Sequence, residues 1–272
     1  MGKLRIGIVG CGAIGSSLAG IIIKDFSKSA RICALYDLDP AKSKALAEKV
    51  KVACPVVRTL GGLIKRSELV IEAASAKSSF PIALAALKAG RDVMVMSVGG
   101  LVQGFGVLSS LAEKAKRRVF IPSGAISGID ALKAAGLSKV KSVTLTTTKN
   151  PLSFKGVEYL KRQGIRLERI KKDRVLFYGL AKDAVKYFPQ NINVAAVLSL
   201  AGIGPYKTYV RIIASRKAIK NVHEIEIKSS AARINTRTEN ELHPDNPKTS
   251  YLAVLSAGAT LKRILEPVSI GT

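Results

Sequence analysis

The sequence predicts an α/β protein: an N-terminal doubly wound parallel sheet of Rossmann type, followed by an α+β unit with a mainly antiparallel, open sheet. Three observations carry this expectation. Strands and helices alternate through the first 120 residues, a glycine turn joins the first strand to the first helix, and from about Ser123 β-type segments follow one another with few helices between. With 272 residues, 47% hydrophobic and 23% charged, the chain has enough apolar surface for two modest cores.

Leu4 to Val9 (LRIGIV) is a β-type run that enters Gly10-Cys11-Gly12-Ala13-Ile14-Gly15, and Ser16 to Lys24 reads as a helix. Arg31 to Tyr36 is a second strand ending at Asp37, Pro40 to Lys49 a helix, and Leu69 to Ala73 a third strand. Pro81 to Ala89 reads as a helix stopped by Gly90, Asp92 to Met96 as a fourth strand, Gly104 to Arg117 as a helix and Arg118 to Ile121 as a strand. Beyond Ser123, Val140 to Thr148 alternates as a strand, Arg166 to Tyr178 reads as two strands or a hairpin, and Pro189 to Leu200 as an apolar helix. Tyr206 to Ala214, Val222 to Lys228 and Ala231 to Thr238 are consecutive strands, which favours antiparallel pairing. Pro247 to Leu265 reads as a last helix with proline at its first position, packing back on the first unit. The expected division is therefore residues 1–122, with 247–272 returning to them, as the dinucleotide-binding unit, and 123–246 as the substrate, catalytic and dimerisation unit.

The glycine turn is informative because of its setting. GxGxxG alone is weak, but here it follows a strand, opens a helix, and has Asp37 at the end of the next strand, 22 residues beyond Gly15. Gly10 permits the tight turn, Gly12 lets a pyrophosphate approach the backbone, and Gly15 lets helix and strand sit close. The amides of Ala13 and Ile14 then open the helix toward the phosphates. The Asp37 carboxylate suits adenosine ribose hydroxyls and repels a 2′-phosphate, which favours NAD, while Lys42 and Lys44 leave NADP open. Ala74 and Ser75 after the third strand, and Ser97 and Gly99 after the fourth, occupy the carboxyl ends where such sheets bind ligands. Their small size equally suits short steric turns.

Only two histidines exist. In Val222-His223-Glu224-Ile225-Glu226-Ile227 the two-residue period puts His223 on the face of Ile225 and Ile227, where an imidazole is either a general base or a satisfied structural group. His243, in a turn-rich stretch, is expected to be exposed or locally bonded. No GxSxG elbow, Cys–His constellation, carboxylate pair or metal-ligand spacing appears, so hydrolase and metal chemistry have no visible apparatus.

The net charge of +25 is the one unusual bulk property. The excess is spread over both halves, with 19 basic and 8 acidic residues in 1–122 and 25 and 11 in 123–272. No aromatics interleave the dense KAKRR and RIKKDR runs, so the reading is a positive field for an acidic substrate rather than nucleic-acid binding. Three cysteines without CxxC spacing suggest a reducing cytoplasm. The apolar N-terminus carries glycines at phosphate-loop spacing and no cleavage signal, and no run reaches the length of a membrane span.

Several segments, in order, resemble the L-aspartate dehydrogenase family: GCGAIG (10–15), MSVGGL (96–101), SGAISGIDAL (123–132), FPQNINVAA (188–196), NVHEI (221–225) and DNPKTSYLAVLSA (245–257). The Glu-Lys-Pro expected after the fourth strand in sugar oxidoreductases is replaced by Ser97-Val98-Gly99, and the His-His signature of dihydrodipicolinate reductase is missing; the strong basicity departs from the family pattern. The resemblance implies NAD(P)-dependent oxidation of L-aspartate to iminoaspartate, then oxaloacetate and ammonia, linked to NAD biosynthesis. It implies that Ala125 and Asn193 contact the nicotinamide end of the cofactor and that His223 is the active-site residue. Asn193, Lys248, Thr249 and Ser250 are then candidate substrate-binding residues, the last three as donors at the start of the final helix. A homodimer through the open sheet is expected. The alternatives are another amino-acid or imine dehydrogenase on the same scaffold, or a Rossmann-type redox sensor that binds polyanions.

Overall fold

The computed structural model describes residues 2–51, 55–189, 193–244 and 246–272, with Pro247 and Lys248 described in backbone only. The chain divides into two compact units, Met1–Pro122 with Val254–Ser269, and Ser123–Ala253 with Ile270–Thr272.

In the first unit the chain runs β1 (Leu4–Val9), α1 (Ala13–Asp25), β2 (Ala30–Tyr36), α2 (Pro40–Val50), α3 (Leu60–Arg66), β3 (Leu69–Glu72), α4 (Ala76–Lys88), β4 (Asp92–Val95), α5 (Phe105–Ala115) and β5 (Val119–Phe120). The strands form one parallel sheet in the order β2-β1-β3-β4-β5. Because helices cover such a sheet, its strands read as continuous apolar runs: Ile6, Ile8, Leu69, Val70 and Ile71 are buried completely or nearly so. Asp39 caps α2 by accepting the Ala41 N–H at 3.0 Å, and Thr59 caps α3 through Gly62 N–H at 3.1 Å. Expectation and structure differ at α4, which begins at Ala76 rather than Pro81. The proline sits in the second turn, where it removes one donor from the ladder without ending the helix.

The second unit contains α6 (Ile129–Ala135), β6 (Val140–Lys149), α7 (Glu158–Arg162), β7 (Arg174–Leu180), α8 (Ala181–Tyr187), α9 (Asn193–Ala201), β8 (Thr208–Ala214), β9 (Asn221–Ser229), β10 (Arg233–Asn240), β11 (Leu242–His243) and β12 (Asn246–Ser250). Its five-stranded sheet has the order β10-β9-β6-β8-β7, antiparallel at every pair except β6–β8. Burial alternates along β6 and β9. Val143, Leu145, Ile225 and Ile227 face the core, and helices α8 and α9, whose buried residues are almost all small or apolar, pack on the β7–β8 side of the sheet. Only one strand, Arg174–Leu180, forms in the stretch expected to hold two, because the short 3-10 turn Leu167–Arg169 precedes it.

The final helix, α10 (Tyr251–Leu265), begins four residues later than the proline predicts. Asn246–Ser250 instead pairs antiparallel with Leu242–His243, and the Tyr251 N–H donates to Glu241 O at 2.9 Å, so strand pairing overrides the proline signal. Val254, Ala257 and Leu261, spaced three and four apart, enter the same apolar cluster as Leu18, Ile22 and Leu35. The helix thus packs on the first unit from Val254 onward, whereas residues 247–253 and 270–272, expected to return with it, belong to the second unit.

Candidate active site

The first unit builds a dinucleotide cradle from backbone. Gly10 has φ +92°, a left-handed conformation, and a side chain there would strike the Ala73 carbonyl at the end of β3. A side chain on Gly15 would collide with the Gly10 carbonyl, so α1 packs directly on the turn. Gly12 is the opposite case: a β-carbon there meets nothing, so the turn is open on the side where α1 presents the amides of Ala13 and Ile14. An open cradle over a helix N-terminus fits a pyrophosphate.

Asp37 follows β2 directly and is held by two amides. Its Oδ2 accepts the Cys11 N–H at 2.7 Å and its Oδ1 the Asp39 N–H at 2.9 Å. The carboxylate thus braces the glycine turn. Sequence reasoning missed a second brace, Glu72. It is fully buried at the end of β3 and accepts the Ala74 N–H at 2.8 Å and the Ser97 N–H at 2.9 Å. Burial pushes its carboxyl above the usual range, while these backbone hydrogen bonds pull the other way. Ala74, Ser75 and Ser97 are brought together by this tie between the ends of β3 and β4, and Gly99 lies buried in the 3-10 turn Val98–Leu101 that follows. The only signal for Glu72 was an acid closing an otherwise apolar strand.

The second unit gathers a polar cluster at one end of its sheet. His223 on β9 is paired in register with Thr147 on β6 and is 2% exposed, its Nδ1 lying 3.0 Å from the Thr147 hydroxyl. Burial, then the Lys149 charge, lower its pKa to about 3, so the imidazole is neutral. Lys149, two residues beyond Thr147 and on the same face, is itself buried, and desolvation lowers its pKa to about 8. Asn221 and Asn240, paired across β9 and β10, complete the row. The Asn221 amide donates to Ser250 Oγ at 3.2 Å; that of Asn240 donates to Ala125 O at 3.0 Å and Asn221 O at 3.3 Å. Asn240 Oδ1 is buried and, among the described residues, has no partner.

Of the other expected site residues, Ala125 is buried, its carbonyl held by Asn240, and Asn193 is exposed at the start of α9. Thr249 accepts from Asn246 Nδ2 at 3.0 Å. Thr249 and Ser250 lie in β12, immediately before α10, rather than in its first turn. The Lys248 side chain and residues 190–192 lie outside the described residues. His243, expected to be exposed or locally bonded, is 3% exposed and meets the nearby Tyr251 ring edge-on at 5.5 Å, so only the exposed alternative fails, because the β11–β12 pairing folds the turn inward. Among the described residues, no group of three or more His, Cys, Asp or Glu is placed to hold a metal.

A family profile described as "Homoserine dehydrogenase, NAD binding domain" matches residues 10–122, and one described as "Aspartate dehydrogenase, C-terminal" matches 130–264. An L-aspartate dehydrogenase of Methanosarcina barkeri is 46% identical over 271 residues, covering 99% of this chain and all of that protein. The chain belongs to the L-aspartate dehydrogenase family. A relative of the same name from Methanococcus maripaludis is 43% identical over 272 residues, with the same coverage. In fold, this member of the L-aspartate dehydrogenase family is similar to the crystal structure of aspartate dehydrogenase from Thermotoga maritima, at TM-score 0.72 and 23% identity over 99% of this chain and all of that one. No helix of the described residues is long and apolar enough to cross a membrane.

Proposed function

We propose that this protein oxidises L-aspartate at Cα, using a nicotinamide dinucleotide held by the first unit and the His223 cluster of the second. The observation that carries the reading is the buried, neutral His223 paired with Thr147 beside Lys149, in a chain matched along its full length by L-aspartate dehydrogenases. When bound, the nicotinamide ring accepts the hydride from Cα. The Cα–N single bond becomes the C=N bond of iminoaspartate as the amine gives up a proton. With Nδ1–H donated to the Thr147 oxygen, His223 keeps a lone pair on Nε2. Nε2 takes a proton from the water that adds to the imine carbon, and loss of ammonia leaves oxaloacetate. Iminoaspartate released before water adds would serve pyridine nucleotide biosynthesis.

Asp37 tilts the cofactor preference toward NAD, since its fixed carboxylate repels a 2′-phosphate. The roles of Ala125 and Asn193 at the nicotinamide end rest on the family resemblance. Cys11 and Cys33 form no disulfide, in keeping with a reducing cytoplasm. The outward face of the second sheet supports a homodimer: Tyr178 and Tyr209 stack there, exposed, with the Arg211 guanidinium 5.1 Å from the Tyr178 ring centre. Sedimentation of Tyr209→Glu as a monomer, against a wild-type dimer, tests that face; a wild-type monomer contradicts it.

The activity is tested by following NADH or NADPH formation with L-aspartate, L-glutamate, L-lysine and L-alanine. Turnover confined to L-aspartate and faster with NAD is expected. Turnover of another amino acid alone would move the protein to a different dehydrogenase, and salt-sensitive duplex binding without turnover would favour the polyanion-binding reading.

A further inference from the structure

The end of β3 carries a buried acid that no step of the aspartate chemistry uses. Glu72 closes the strand, in register with Val9 of β1 on one side and Val95 of β4 on the other, and has no exposed surface. Its two oxygens meet two converging main-chain donors: Oε1 accepts the Ala74 N–H at 2.8 Å and Oε2 the Ser97 N–H at 2.9 Å. Hydrogen bonds alone oppose the effect of burial, and among the described residues no cation shares the charge. A carboxylate held in this way bears a large desolvation cost. The donors explain why it is there, because both are served only by a group that accepts at both ends. The amide of a glutamine would turn an N–H on one of them.

The segments so tied have a defined place along the sheet edge. In the order β2-β1-β3-β4, a dinucleotide with its adenosine ribose at Asp37 and its pyrophosphate over the glycine turn next meets the carboxyl ends of β3 and β4. Ala74-Ser75 and Ser97 follow those ends, and Glu72 joins them. The glycine turn leans on a different support. A β-carbon on Gly10 would strike the Ala73 carbonyl, and the Ala73 N–H donates to Val9 O at 2.8 Å. That ladder bond does not involve the Glu72 side chain, so the pyrophosphate side and the nicotinamide side rest on separate ties.

Resting on the reading that the first unit holds a nicotinamide dinucleotide, we infer that Glu72 is a positioning residue for the nicotinamide half, its ionised carboxylate fixing the turns after β3 and β4 relative to each other. Having no exposed surface, it touches neither cofactor nor substrate and acts through the backbone of Ala74 and Ser97.

The test uses Glu72→Gln and Glu72→Asp in the full-length protein, with NADH affinity read from nicotinamide fluorescence and ADP affinity from calorimetric titration. Glutamine turns a donor on one amide, and aspartate, one methylene shorter, reaches only one. Each variant is expected to lose NADH affinity about tenfold, the scale of one hydrogen bond to a charged group. ADP, which engages only the adenosine and pyrophosphate side, should bind each as it binds wild type, which also verifies that the variant is folded; either variant suffices if the other does not fold. An equal loss for NADH and ADP would overturn the assignment, since a tie that merely holds the sheet together weakens both sides. NADH affinity at the wild-type level in both variants would overturn it as well. A wild type that fails to bind NADH would overturn the dinucleotide reading, and this assignment with it.

Discussion

The two units build their candidate sites in opposite ways. The cradle of the first is made of backbone within one turn: Gly10 for its positive φ, Gly12 for the space beside it and Gly15 for close packing, braced by Asp37 at the end of the next strand. The cluster of the second is made of side chains drawn from β6, β9, β10 and β12, up to about a hundred residues apart in sequence, and only strand register brings them together. A backbone site is damaged by adding atoms, whereas a side-chain site is damaged by removing them.

That contrast orders the expected effects. The largest is His223→Ala, which should lower kcat about a hundredfold or more, the usual contribution of a general base. His223→Gln, which keeps the volume and a polar partner for Thr147, should lose as much; turnover near wild type in both would break the assignment of chemistry to this cluster.

Lys149→Met should have an opposite effect on stability. The lysine titrates near 10.5 when unfolded and near 8 in the fold, so below pH 8 both states carry the proton and the folded state bears the full burial cost. As pH rises from 8 to 10.5 the folded state has shed the proton while the unfolded state still holds it, and that cost is relieved. The variant should therefore be the more stable at pH 7, by at most about 3 kcal/mol, and thermal melts should show the gap closing toward pH 10.5. A gap independent of pH would mean that packing, not charge, sets the difference.

In the first unit, Gly12→Val should fold normally but weaken dinucleotide binding by about 1–3 kcal/mol, the cost of forcing methyl groups into an occupied space; calorimetric titration with NAD measures it. The smallest effect is Asp37→Ala, which should shift the NAD to NADP ratio of kcat/KM by about tenfold, or 1.4 kcal/mol. An unchanged ratio would leave Asp37 only its brace to Cys11.

The same contrast explains what was legible in the sequence. The glycine turn and Asp37 are contiguous or at fixed spacing, and the two-residue period of β9 shows which way His223 points. Lys149 obeys the same period along VKSVTLTTTK, yet a lysine closing a strand reads as a surface charge, and only burial distinguishes it. Glu72 was hidden for the same reason, since its partners, the Ala74 and Ser97 amides, lie on loops that meet only in the folded sheet. Pro247 misled because a local start signal lost to pairing between β11 and β12, which also buried His243.

The division of labour between the units is tested most directly by the NADH affinity of His223→Ala, titrated by nicotinamide fluorescence. An affinity equal to wild type in a variant that has lost turnover is the predicted result. Loss of NADH binding in parallel with turnover, from a protein that melts like wild type, would contradict it.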